Sequence, residues 1–240
     1  MLLATQGIVL GHVKYSESSI ICKIYTETAG IKSYIINNIR SKKSQGKMAV
    51  YQPLTLLNLI VYNKENKNLQ RIKEVHCAEP LKSIPYNIYK SSMALFIAEV
   101  LHKTIKEEEA NPALFAFIKH FIKLLDTSED KFSDFHLIFI MHLTQYLGFS
   151  PKADAKDNSY FDMIEGKFCM HKPLHSFFIA QPLCAYFHKL LAADYDNVDN
   201  IKLNGRLRLL LLEKLLLYYK THLDGMAPIK SVEIFKSVFE

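Results

Sequence analysis

Between Gly30 and Met48 the chain reads GIKSYIINNIRSKKSQGKM, with Lys32, Arg40, Lys42, Lys43 and Lys47 and no Asp or Glu. Cations at this density suit one task. Each one set beside a phosphate releases a condensed counterion, and several together hold a polyanion without reading its sequence. Tyr34 and Tyr51 flank the charge. Base–aromatic stacking beside a positive groove is how single strands are held, although a barrel core is the competing place for a tyrosine. Lys14, Lys23 and Arg71 extend the expected footprint, with Lys64, Lys67 and Lys73 beyond them. No glycine occurs in 31–45, so side-chain charge, not a nest of backbone amides, has to carry the contact.

The location of the charge matters more than its total. The net charge is +6; residues 1–80 hold 11 Lys/Arg against 5 Asp/Glu, and residues 81–240 hold 19 of each. All of the excess sits in the first third, which points to a polyanion partner there. A solvated basic face is the plainer reading.

Other chemistries are poorly served. There is no P-loop, no GxGxxG, no GxSxG and no HExxH, so no catalytic residue is assigned and the chain is read as a non-enzyme. Asp154, Asp157, Asp162 and Glu165 cluster on an apparent loop. Paired carboxylates of this kind could hold Mg²⁺ in a nuclease, but more often they solubilise a loop. Cys169, His171 and His175 give a C-x-H-x3-H spacing, with His188 further on. The CxxC knuckle of a structural zinc site is missing, and no metal or other cofactor is expected. The remaining cysteines, Cys22, Cys77 and Cys184, form no CxxC pair either and read as reduced thiols of a cytoplasmic protein. The opening MLLATQGIVLGHV has no basic leader. Arg208, Glu213 and Lys214 interrupt the longest apolar run, 207–219, so no membrane span is expected.

Two kinds of element must position these residues. Residues 6–13, 18–27, 30–37, 54–63 and 69–77 read as strands. They are rich in Ile, Val, Tyr and Thr, and Ile20, Cys22 and Ile24 alternate with Ile21, Lys23 and Tyr25. Five short strands in so few residues suggest an OB-fold barrel that binds oligonucleotides on one face, with an SH3-like barrel as the rival. The long connection, 38–53, is the basic stretch. After 78–85 the period changes to 3.6. Helices are predicted at 86–109, from Asn111 and Pro112 onward, at 132–149, at 180–193 and at 204–225. In the last of these Arg206, Glu213 and Lys220 share a face and leucine covers most of the rest. That reads as the centre of a helical domain, a leucine-zipper partner being the alternative. Residues 150–179 carry two aromatic runs around EGK, as a hairpin turning at Gly166 would. The expected fold class is α+β: an OB-fold domain at 1–80, then an all-α domain at 81–240 with a hairpin inserted at about 150–180.

Laid in order, these pieces resemble a known family, the bacterial RecO recombination mediators. The opening TQGIVLGHVKYSESSIICKIYTETAGIKSYIINNIRSKKS (5–44) carries the family's GIVL strand, its Y-x-E segment, its YT-E-x-G turn and its basic loop. YLGFSP (146–151) and YYKTHLDGMAPIKSVEIF (218–235) are also similar. The resemblance implies a non-catalytic, nucleoid-associated DNA-repair protein. It would bind single- and double-stranded DNA, anneal complementary strands and, with RecR, help RecA replace the single-strand binding protein. It maps the family's DNA contacts onto Arg40, Lys42, Lys43 and Lys47. It also implies docking of the binding protein's acidic C-terminal tail, for which Lys119, Lys123, Arg206 and Arg208 are the candidate rim. Many members carry a four-cysteine zinc site after LG. Here 150–180 keeps only Cys169, so the zinc is not carried over, and Tyr160, Phe161, Phe168, Phe177 and Phe178 are expected to pack the hairpin instead. A protein-binding scaffold whose basic loop docks an acidic partner is the alternative function.

Overall fold

The structure is a computed structural model that describes residues 1–39, 47–64, 67–130, 132–152, 159–195, 201 and 203–239. Arg40, Lys42, Lys43, Asp154 and Asp157 lie outside the described residues.

Strand β1 (Leu2–Lys14) is long enough to serve two neighbours. Its first half pairs with β4 (Leu56–Tyr62) and its second with β2 (Ile20–Thr26), both antiparallel. A register shift between Val9 and Gly11 bends it as a β-bulge does. β2 turns into β3 (Gly30–Ile36), β3 runs parallel to β5 (Leu69–Glu79), and β5 returns antiparallel to β4. The order β1-β2-β3-β5-β4 closes on itself, which is the five-stranded OB-type barrel expected from the strand pattern. Period-two alternation fills it: Val9, Ile20, Cys22, Ile24, Leu57 and Val61 point inward and are buried.

Tyr25 has the opposite parity yet is only 1% exposed. Helix α2 (Pro112–Thr127) covers it: Phe115 lies 6.1 Å from its ring, and its hydroxyl donates to the Asn111 carbonyl at 3.4 Å. Asn111 caps α2 through its side chain, which accepts from the Leu114 amide at 3.0 Å. Helix α1 (Ile88–Thr104) starts from Asn87, which accepts from the amides of Tyr89 and Lys90, and buries Met93, Phe96, Ile97, Val100 and Leu101. The chain accordingly falls into two compact units that do not follow the change from strand to helix at residue 80. One unit is Met1–Thr127 with Ile229–Phe235; the other is Ser128–Pro228 with Lys236–Glu240. Two helices go with the barrel because its outer surface offers apolar side chains such as Tyr25 for them to cover.

Helix α1 stops at Thr104, short of the expected 109. Ile105 is extended and buried. Three successive glutamates, Glu107 to Glu109, would have sat at the negative end of the helix dipole, where carboxylates are unfavourable.

The second unit holds α3 (Phe135–Tyr146), α4 (Leu183–Leu191) and α5 (Gly205–His222) with a small antiparallel sheet of β6 (Tyr160–Asp162), β7 (Lys167–Cys169) and β8 (Phe178–Ala180), in the order β7-β6-β8. The β6–β7 hairpin turns at EGK with Gly166 at φ +62°, a conformation that favours glycine. Strand β8 and a short final helix α6 (Ser231–Phe239) were not expected. The buried residues of α5 include Leu211, Leu212, Leu215, Tyr218 and Tyr219, while Arg206, Glu213 and Lys220 stay exposed; this is the central helix that the leucine pattern suggests. Among the described residues no helix is long and apolar enough to cross a membrane.

Candidate nucleic-acid interface

The inward set of the barrel fixes the outward one. Leu3, Val61 and Ile72 pack on the core, so their neighbours Leu2, Tyr62 and Arg71 face away from it. Following direct pairings across the strands gives one continuous row: Val13 opposite Ile21, Ile21 opposite Ile35, Ile35 opposite Arg71, Arg71 opposite Tyr62, and Tyr62 opposite Leu2. Val13, Tyr62 and Leu2 are 61%, 42% and 48% exposed. This outward track is apolar and carries a phenol ring and a guanidinium. The flanking row sets Gly11, Lys23, Ser33 and Leu69 side by side.

Cations gather at the ends of the same strands. Lys14 ends β1 opposite Ile20, and Tyr15 beside it is 59% exposed. In the β4–β5 turn, Gln70 is buried and its side-chain amide donates to the carbonyls of Lys64 and Lys67 at 2.7 and 2.5 Å, which holds those two lysines in place. Lys47 opens a short 3-10 turn, Lys47–Tyr51, tied back to β1 by a 3.2 Å contact between His12 Nδ1 and the Tyr51 carbonyl. Lys14, Lys23, Lys47 and Arg71 form no ion pair with a described carboxylate.

Two expected contacts are corrected, and a third is found in an ion pair. Tyr34 and Tyr51 are 1% and 3% exposed inside the barrel core. Burial raises both phenols, Tyr51 to about 12, and neither ring can stack a base. On the barrel the exposed tyrosines are Tyr62 and Tyr15; Tyr15, beside Lys14, is also a stacking candidate in the sequence. Tyr62 was legible in the alternation: once Val61 is assigned to the core, Tyr62 must face out. Lys32 lies 2.5 Å from Glu108, and its side chain is only 17% exposed; its charge is already matched.

The comparisons with known proteins agree with this architecture. The family model described as "Recombination protein O N terminal" matches residues 1–81, and "Recombination protein O C terminal" matches residues 85–233. The chain is 39% identical over its whole length to the DNA repair protein RecO of Flavobacterium psychrophilum, also matched end to end. It is 37% identical over its whole length to that of Bacteroides fragilis, and 35% to that of Flavobacterium johnsoniae, again with 100% of each relative covered. The chain belongs to the RecO family.

The zinc site that the RecO resemblance brings to mind does not fit the residues present. Cys169 donates to the His171 carbonyl at 3.3 Å, and His175 turns to Asp162, 3.2 Å away. No three metal-ligating side chains come together among the described residues. The small sheet is packed by aromatic rings: Phe161 lies 4.9 Å from Phe168, 4.6 Å from Phe187 and 5.3 Å from Tyr218. Tyr160 and Phe178 meet on the opposite face at 5.8 Å, whereas Phe177 is 41% exposed and is not part of the packing core. Asp162, offered above as a possible Mg²⁺ ligand, accepts from the amides of Ile164 and Glu165 and so braces the hairpin turn.

The four residues assigned to a partner's acidic tail fall in different units. Lys119 and Lys123 lie on α2, where Lys119 donates to Gln6 at 2.8 Å and Lys123 pairs with Glu79 at 2.8 Å. Arg206 and Arg208 lie on α5 in the other unit. Arg208 is no rim cation: it pairs with Asp134 at 2.6 Å and both side chains are largely buried. Burial pushes the Asp134 carboxyl up, and Arg208 opposes that shift.

Proposed function

We propose that this RecO protein is a DNA-binding recombination mediator that works by binding and not by turnover. The barrel binds single- and double-stranded DNA. Lys14, Lys23, Lys47 and Arg71, joined by Arg40, Lys42 and Lys43 of the basic loop, meet phosphates, while the apolar outward row faces the bases. The observation that carries the reading is that row, with its exposed tyrosine and an arginine that has no carboxylate partner among the described residues, lying between cationic strand ends. A surface of this kind holds bases flat and phosphates at its edges, and strand annealing follows from presenting bases while neutralising backbone charge. The remaining steps, loading RecA with RecR on DNA coated by the single-strand binding protein and docking that protein's acidic tail, belong to the helical parts, with Lys119, Lys123 and Arg206 as the cations offered.

The test is anisotropy of a labelled single strand across a salt series. Changing Lys14, Lys23 and Arg71 together to Ala is expected to flatten the log–log salt slope by roughly 2 units, at about 0.7 per lost contact. A second variant, Arg40, Lys42, Lys43 and Lys47 to Ala, is expected to flatten it by roughly 3 units. An unchanged slope in both would overturn the barrel as the DNA-binding surface.

A further inference from the structure

The connection between α1 and α2 lies along the turn between β2 and β3. The Ile31 amide donates to the Glu107 carbonyl at 3.3 Å, and the Lys32 ammonium meets Glu108 at 2.5 Å. Gly30 makes so close an approach feasible. It has φ +62°, and a Cβ there would stand 2.5 Å from the Glu109 carbonyl oxygen and 2.7 Å from that of Glu107. No other residue type fits both constraints. Glu107, Glu108 and Glu109 are exposed, so three consecutive carboxylates lie on the one part of the chain with an excess of positive charge. Lys32 first, and Lys23 more weakly, hold the Glu108 carboxyl below its ordinary range. The strap is therefore bound to the barrel by a backbone hydrogen bond, an ion pair and a glycine-dependent fit.

We propose that the strap Glu107–Glu109 is the acidic boundary of the DNA track. It excludes phosphate from the β2–β3 end of the barrel and competes with phosphate for Lys32, confining the strand to the surface that runs from Lys23 to Lys14 and Arg71. The proposal rests on the barrel being the DNA-binding surface. Its physical basis is simple. A phosphate approaching Lys32 must displace Glu108, and it does so within a Debye length, about 8 Å at physiological salt, of two further carboxylates. Glu108 is 66% exposed, so the pair is screened by water and can exchange. The strap thus sets a selective boundary without sealing that end.

The test replaces Glu107, Glu108 and Glu109 by Gln. These changes are isosteric and keep the Glu107 backbone carbonyl that Ile31 uses. At about 50 mM salt, single-strand binding is expected to tighten roughly fivefold, and the log–log slope to steepen by about 0.7 as Lys32 gains a phosphate. Lys32→Ala is expected to leave the native chain's salt slope unchanged, because Lys32 holds no phosphate there, but to cancel the steeper slope in the triple-Gln background. Gly30→Ala, if the variant folds, is expected to act like the triple-Gln change by lifting the strap. If the native chain binds DNA and the triple-Gln variant shows the same affinity and slope, the strap is not the boundary. If the native chain binds no DNA at all, the barrel reading fails and the boundary with it.

Discussion

The two sheets of this chain use similar residues to different ends. The barrel closes, so Tyr34 and Tyr51 go inside it and an outward row from Val13 to Leu2 is left over, with Arg71 and Tyr62 in it. The three-stranded sheet cannot close. It hides Phe161, Phe168 and Ile179 on one face and packs Phe161 against Phe187 and Tyr218. Its aromatic content is as conspicuous in sequence as that of the barrel, but there the rings pack on one another and on two helices. Aromatic residues near lysines do not by themselves mark a nucleic-acid face. What separates the two sheets is which parity the core takes and where cations without a described carboxylate partner remain.

The hardest way to test that division is to damage the small sheet. Phe161 is fully buried among the rings of Phe168, Phe187 and Tyr218. Phe161→Ala removes the centre of that cluster and is expected to cost about 3–5 kcal/mol, read as a shift in a denaturant midpoint. Folded protein below the midpoint should bind single-stranded DNA with the native salt slope. A changed slope would mean that the small sheet contributes to DNA contact and that the division is wrong.

Within the barrel the same comparison can be made between two tyrosines. Tyr34→Ala opens a cavity in the core and is expected to cost about 3 kcal/mol of stability. Tyr62→Ala removes a 42% exposed ring; it should leave stability nearly unchanged and weaken single-strand binding by about 1–3 kcal/mol. Parallel denaturation and anisotropy measurements on the two variants decide the matter. If Tyr34→Ala alone weakened DNA binding in folded protein, the assignment of faces would be reversed.

Much of this was legible in the sequence, and the failures have physical causes. The strands and their closure followed from alternation and turn residues, and Gly166 marked its hairpin. Alternation does not by itself say which parity faces in, so Tyr34 reads as a DNA contact and Tyr62 goes unmarked; Tyr51 lies in the 3-10 turn, outside any strand, where alternation gives no guide. The apolar pattern of α1 runs on through Ile105, and only the charge of Glu107 to Glu109 against the helix dipole says where it stops. Lys32 looked unpaired because its partner, Glu108, is 76 positions away in sequence. The attachment of α1 and α2 to the barrel was hidden for the same reason: Tyr25 reads as an outward residue until Phe115 is seen to cover it. Strand β8 is three residues long, as β6 and β7 are, but no glycine turn like Gly166 marks it.

A third measurement asks what else belongs with the barrel's unit. Glu99 on α1 accepts from the Lys230 amide at 3.0 Å, from the Ser231 amide at 2.7 Å and from the Ser231 hydroxyl at 2.5 Å, and it pairs with Lys103. It thereby caps α6, whose Phe235 packs 5.3 Å from Phe96. Burial works to raise the Glu99 pKa, but these donors outweigh it and bring it down to about 2 from 4.5. A carboxyl depressed on folding stabilises the protein above its unfolded pKa. That contribution, on the order of 2 kcal/mol, is lost as the pH falls from about 4.5 toward 2. Glu99→Gln is expected to flatten the acid limb of the stability curve and to speed hydrogen exchange at the Ser231 amide at neutral pH. An unaltered acid limb would mean that α6 is held by packing on Phe96 alone.

The smallest effect gives the finest distinction between the two sheets. Arg71 on the barrel and Lys167 on the small sheet are both outward cations on strands. Arg71 has no described carboxylate partner, whereas Lys167 stands 3.4 Å from Glu165, with both side chains about half exposed. A pair that open to water contributes about 0–1 kcal/mol, so Lys167→Ala should barely change stability. It should leave the DNA salt slope as it was. Arg71→Ala should also leave stability alone, but it should flatten the single-strand slope by about 0.7 units, the signature of one lost phosphate contact. Equal effects from the two substitutions would make the contact a diffuse response to net charge. A slope change at Arg71 only would place the phosphate on the barrel, one strand away from the ring of Tyr62.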